Sequence, residues 1–283
     1  MTAAASDRLR VYMNWLALEG TSVGRSSSPL CGIRDAGYDG VQFTEPLSRA
    51  LVDEACGLEL GICGSGRVNE PEDAGRLAKE ARDAGLECLT LHVGWGIEDD
   101  HSADQLIVAV LEASTRYAIP LYVETHRATI FQDMWRTVQF VHRFPSLRFN
   151  GDFSHWYTGA EMVYGGFARK LEFIQPVLER VRFLHGRIGN PGCMQVDIAN
   201  GEVDGQPYVE HFRAMWTAVF VGFLTDADAP ECICFAPELL ASNIYYARTF
   251  AGKEESDRWQ QAFVLTKIAR ECFADAVRRA GMQ

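Results

Sequence analysis

Asp35-Ala36-Gly37-Tyr38-Asp39-Gly40-Val41 and Asp83-Ala84-Gly85-Leu86-Glu87-Cys88-Leu89 are two copies of one join. In each, a helical pattern ends, a glycine caps it, and an apolar strand begins. Working outward from these joins, eight short apolar runs recur, at residues 9–16, 40–44, 60–63, 88–93, 120–125, 147–153, 182–187 and 232–237. Several are near-continuous, as expected of strands covered on both faces. The segments between them read as helices, among them 104–117, 130–141, 208–224 and 256–280, each with an apolar stripe. Glu70-Pro71-Glu72-Asp73 opens another, with early acids and a proline. Strand and helix in alternation imply parallel strands with right-handed crossovers. Eight such units predict an α/β fold, a closed (β/α)₈ TIM barrel, as one domain over residues 1–283. That length matches the roughly 250 residues a barrel needs. An open doubly wound sheet is the structural alternative, but no G-x-G-x-x-G follows the first strand.

Composition narrows the partners. A formal net charge of −11 disfavours nucleic acid and anionic membranes, both polyanions. No apolar run approaches the roughly 18 residues of a membrane helix. Met1-Thr2-Ala3-Ala4-Ala5-Ser6-Asp7-Arg8 lacks a basic region followed by an apolar stretch, so no secretory signal is expected. Eight cysteines are scattered without a C-x-x-C pair. They read as reduced thiols in a cytoplasmic protein, and their spacing argues against a structural zinc.

In such a barrel, the C-terminal ends of strands face the active site. The fifth run ends Val123-Glu124-Thr125-His126, and the sixth Gly151-Asp152-Phe153-Ser154-His155. The seventh ends Leu184-His185-Gly186-Arg187, and the eighth Phe235-Ala236-Pro237-Glu238. Period-two alternation puts Glu124 with His126, His185 with Arg187, and Cys234 with Ala236 and Glu238 on shared faces. A single carboxylate after a strand is ordinarily a helix N-cap or a surface charge. Four aligned strand ends are harder to dismiss. Three carboxylates and an imidazole would repel unless a cation sat among them. Glu124, Asp152, His185 and Glu238 are therefore expected to hold a divalent metal. The oxygen-rich set suits Mn²⁺ or Mg²⁺, and Co²⁺ or Zn²⁺ is compatible. Residues 189–207 form a long Gly/Pro/Asn/Asp-rich loop after the seventh run, a candidate contributor to the site.

The strand-end order Glu, Asp-x-x-His, His, Glu resembles the xylose isomerase-like superfamily, and within it the sugar phosphate isomerase/epimerase group that includes D-tagatose 3-epimerase. The resemblance covers nearly the whole chain and is most specific at Asp152-Phe153-Ser154-His155 and His185-Gly186-Arg187. It implies one metal, Mn²⁺ favoured, on those four ligands, with Glu124 and Glu238 doubling as the acid/base pair. It implies that His155 binds substrate oxygens and that Arg187 orients a hydroxyl or carbonyl. The implied reaction is isomerisation or epimerisation of a sugar or related keto-polyol through an enediolate, whose charge a metal stabilises. A dehydratase of the same fold, acting on a keto-cyclitol or keto-acid, begins with the same proton abstraction. Relatives often assemble, so a homo-oligomer is implied.

Departures bear on the substrate. After Glu124 the epimerases carry an Asn-Arg-Phe-Glu run, whereas this chain reads Thr125-His126-Arg127-Ala128. Gln42 stands where the group often has Glu. His126 and Arg127 join the expected substrate contacts, and they make a carboxylate- or phosphate-bearing small molecule more plausible. Endonuclease IV, a three-metal phosphodiesterase, also shares the pattern, including His92 and His155. However, Gly61-Ile62-Cys63-Gly64-Ser65-Gly66 has no histidine, and the loop after His185 lacks an Asp-x-His pair. His92 is thus expected to line the pocket. Trp15, Trp95, Trp156 and Tyr157 fall near strand ends, where rings either stack on sugars or pack loops onto the barrel.

Overall fold

The computed structural model describes residues 5–44, 47–203 and 205–281. The first four residues of the stretch read for a secretory signal, and Asp204 in the long loop, lie outside them. Eight parallel strands close on themselves in sequence order. They are β1 (Leu9–Asn14), β2 (Gly40–Thr44), β3 (Gly61–Val68) and β4 (Cys88–Val93), followed by β5 (Leu121–Glu124), β6 (Phe149–Gly151), β7 (Val181–Gly186) and β8 (Ile233–Pro237). Leu9 and Val11 of β1 pair with Ile233 and Phe235 of β8, which seals the barrel. Among the described residues, no helix is long and apolar enough to cross a membrane.

Three strand ends differ from the apolar runs by two residues or more, each for a local reason. β1 stops at Asn14, whose side chain accepts a hydrogen bond from the Leu16 amide and starts a 3₁₀ turn. β6 stops at Gly151 because Asp152 is a helix N-cap, its Oδ1 accepting from the Ser154 amide at 3.0 Å. β3 runs to Val68, five residues past the predicted end, with Arg67 paired to His92 on β4. Gly64 and Gly66 have no side chains, so this extension carries no readable alternation.

Outward-facing Val11, Val41, Leu91, Val123, Leu184 and Phe235 meet the helices in one large core. The helix Tyr208–Thr225 packs on the helix Arg258–Arg279, with Phe220 edge-on to Phe273 at 5.2 Å. Each such side chain contributes about 1.5–3 kcal/mol by leaving water. Gly186 is required where it stands: a Cβ there would lie 2.2 Å from the Phe235 ring.

Inside the barrel, side chains change character along the axis. Tyr12, Cys63, Cys88, Tyr122, Phe183 and Cys234 form an apolar plug. The cysteines are free thiols, yet the fold gathers what the spacing seemed to scatter. Cys63 Sγ lies 3.4 Å from Cys88 Sγ, and Cys63, Cys234 and Glu87 have ligand atoms within 4.8 Å of one another. Glu87 is already engaged there by Arg10, at 2.9 and 3.0 Å, and by the Tyr12 hydroxyl. Beyond the plug come buried Asn14, Gln42, Thr90 and Asn150. Asn14 Nδ2 donates to Gln42 Oε1 at 3.0 Å, and Gln42 Nε2 donates to Thr90 Oγ1 at 2.9 Å. This polar layer is the floor on which the charged mouth rests.

Candidate metal centre

Glu124 ends β5, Asp152 follows β6, His185 lies near the end of β7, and Glu238 follows β8. One ligand atom from each of these four comes within 4.8 Å of the others. Glu124, Asp152 and His185 are buried, and the Glu238 side chain is 12% exposed. His185 Nδ1 stands 3.6 Å from Glu124 Oε2 and 3.5 Å from Glu238 Oε2. These gaps exceed hydrogen-bond lengths. They approach the spacing of two ligands that share a cation through bonds of about 2.0–2.2 Å.

The polar floor orients the ligands. Gln42 Oε1 lies 3.0 Å from His185 Nε2, so a proton on Nε2 leaves Nδ1 directed at the carboxylates. Asn150 Nδ2 donates to Glu124 Oε2 at 2.9 Å, and Asn14 Nδ2 donates to Glu238 Oε1 at 3.2 Å. Ser154 Oγ donates to Asp152 Oδ1 at 2.6 Å. Glu124 Oε1 is buried and makes no hydrogen bond, although His92 Nε2 lies 3.3 Å away. Such an oxygen beside two more carboxylates and an imidazole fits a divalent cation.

Electrostatics describe the same excess of negative charge. Burial alone would lower the His185 imidazole, but Glu238 and Glu124 lift it to about 9. Burial raises the Glu238 carboxyl to about 7, against the pull of His185 and Arg187. Glu124 is also penalised by burial, yet His92 and His185 hold it well below the usual carboxylate range. The two glutamates are therefore unequal.

Arg187 and three histidines complete the mouth. Arg187 is fully buried, bonded to Asp152 Oδ2 and 3.0 Å from Glu238 Oε2. Its Nε donates to Ser154 Oγ at 3.0 Å. It is thus committed chiefly to two of the carboxylates, where the resemblance gave it substrate oxygens, and its Nη1 is left buried without a partner. His92 Nε2 lies 3.3 Å from Glu124 Oε1. The rings of His92, His126 and His155 follow one another in a tilted row, with centroids 4.1 and 3.9 Å apart. Burial, followed by the adjoining His155, pushes His126 down to about 2, and burial with the Arg187 charge lowers His155, so both are neutral at pH 7. His92, Glu124 and His126 form a second group with ligand atoms within 4.8 Å, sharing Glu124 with the first.

No protein-family model matches the sequence, and no curated protein matches it either. Solved structures do. An L-ribulose 3-epimerase superposes with a TM-score of 0.61 at 13% identity, over 96% of this chain and 97% of that one. A xylose isomerase-like TIM barrel protein from Mycobacterium smegmatis, solved in complex with magnesium, gives 0.59 at 14% identity, over 95% and 99%. The probable 3-DHS dehydratase of petrobactin synthesis from Bacillus anthracis gives 0.55 at 14%, over 83% and 94%. The chain shares the TIM-barrel fold of these structures.

Within this barrel, most residues singled out from sequence converge. Arg127 is the exception: it is exposed at the rim, its guanidinium 5.1 Å from the centroid of the Tyr246 ring. Trp156 and Tyr157 are buried packing residues, and Trp156 Nε1 donates to the Phe131 carbonyl at 2.9 Å. Trp95 is exposed and lies under Arg67 at 4.1 Å. Sequence reasoning missed the roles of Asn14, Thr90 and Asn150, although a polar residue at an inward position of an apolar strand was a usable signal. It also missed Tyr246, whose hydroxyl is 3.3 Å from His126 Nε2. Tyr246 comes from an irregular loop with no periodicity to read.

Proposed function

We propose that the protein is a metal-dependent isomerase or epimerase of a sugar or related keto-polyol. The observation that carries this reading is the convergence of Glu124, Asp152, His185 and Glu238 from four consecutive strand ends. Those four residues would hold one divalent cation, with Mn²⁺ the favoured ion. The cation would supply stabilisation of enediolate charge. Glu124, held ionised by His92 and His185, would take the proton from the carbon next to the substrate carbonyl. Glu238 would return a proton from the other side. Gln42 and Asn150 hold His185 and Glu124 in register for this. His155 would present a buried ring edge to substrate oxygens, and the neighbouring His92 and His126 rings would line the β4 side of the mouth.

The test is to load the protein with Mn²⁺ and follow solvent deuterium into a panel of ketoses. Exchange without loss of mass supports the proposal. Loss of water in the product identifies a dehydratase. Stoichiometric metal with no exchange across the panel counts against both. The phosphodiesterase reading needs further metals, and the His92–Glu124–His126 group is where a second would be sought. One metal per chain leaves that reading without support.

A further inference from the structure

A cavity of about 550 Å³ opens beside the four-ligand cluster, between the chain after β5, the helix after β6 and the loops after β7 and β8. Its lining includes Arg127, Arg248, Thr158, Ser242, His155 and Tyr246. No carboxylate is among the residues that line it. In a chain of net charge −11, a cavity with two arginines and no acid is a local reversal of sign.

The two arginines differ. Arg248 is held by Glu255, with Nε donating to Oε2 at 2.6 Å. Arg127 has no ion pair among the described residues and rests on Tyr246 alone. A cation–π contact of this kind leaves the N–H edge of the guanidinium free for a bidentate acceptor. Tyr246 also carries Arg187 at 4.5 Å from its ring centroid, so it links the cavity to the ligand cluster. At that junction two buried nitrogens, His155 Nδ1 and Arg187 Nη1, have no hydrogen-bond partner. Buried polar atoms left unpaired are costly, and a ligand that reaches them removes the cost.

We propose that this cavity binds the terminal oxyanion of the substrate, a phosphate or a carboxylate, with Arg127 as the residue that selects for it. The carbonyl end of the same molecule would then lie at the four-ligand cluster. The inference rests on the isomerase reading for the identity of that carbonyl end, but anion binding can be measured without it.

The experiment is a calorimetric titration of chelator-treated protein with inorganic phosphate and, separately, with glycerate. Wild type, Arg127→Gln and Arg127→Lys are compared. Wild type should bind at least one anion. Arg127→Gln should weaken that binding roughly ten-fold or more, and Arg127→Lys should recover part of it. The anion bound more tightly identifies the source of the oxyanion. Binding of neither anion by wild type overturns the inference, as does an Arg127→Gln protein that binds as wild type does. Deuterium exchange into neutral and charged ketoses separates the two claims. Exchange into neutral ketoses without anion binding overturns the subsite and keeps the isomerase. Anion binding with no exchange into any ketose supports the subsite and overturns the isomerase.

Discussion

His185 Nε2 on β7 lies 3.0 Å from Gln42 Oε1 on β2, across the interior of the barrel. The amide is itself held by Asn14 and Thr90. One imidazole orientation is thereby selected, with Nδ1 towards Glu124 and Glu238. Gln42→Leu removes the acceptor at similar volume. It should lower Mn²⁺ affinity about 10–100-fold. Titration of Mn²⁺ followed by electron paramagnetic resonance measures this, and unchanged affinity would show that Gln42 orients nothing.

Glu124→Gln and Glu238→Gln keep shape and remove a proton carrier. Each should slow deuterium exchange into the substrate about 10²–10⁴-fold. The double variant should be little slower than either single one, because the two act as a unit. Additive losses would argue that each acts independently of the other.

Protonation of His185 links the site to stability. The folded-state pKa of about 9 exceeds the ordinary 6.5 because Glu238 and Glu124 outweigh the effect of burial. A group raised in the folded state stabilises the fold while protonated. That contribution is complete below about pH 6.5 and is lost as pH rises through about 9. Chelator-treated protein should therefore melt at progressively lower temperature across that window. Mn²⁺, which displaces the proton, should bind more tightly over the same range and release protons as it binds. Melting curves and calorimetry in buffers of different ionisation heat check both, and a flat profile would contradict the charge balance assigned to the cluster.

Gly186 sits between His185 and Arg187 with the Phe235 ring against its Cα. Gly186→Ala should cost about 1–3 kcal/mol as β7 and β8 are pushed apart. Both neighbours would move with the strand, so metal affinity should fall with the melting temperature. A stable variant with full affinity would mean that β7 can shift without disturbing the ligands.

Much of this architecture was legible in the chain because a buried parallel strand writes itself as an apolar run. The carboxylates at Glu124, Asp152 and Glu238 stood out because each interrupts such a run. Arg67 did not, since Gly64 and Gly66 erase the alternation that would have extended β3 to it. The thiol group of Cys63, Cys88 and Cys234 was hidden for another reason: its members come from three strands with no local spacing in common. Tyr246 and the cavity depend on how loops fold over the mouth, and loop placement is a tertiary property. Arg187 was visible, but its engagement with Asp152 and Glu238 follows from burial that only the closed barrel imposes.

The central claim is one divalent cation among Glu124, Asp152, His185 and Glu238. An anomalous-difference map from a crystal grown with Mn²⁺, recorded at the manganese edge, tests it most directly. The account predicts a single peak within bonding distance of those four side chains. A peak confined to the His92–Glu124–His126 group, two peaks sharing Glu124, or no peak at the mouth would contradict it.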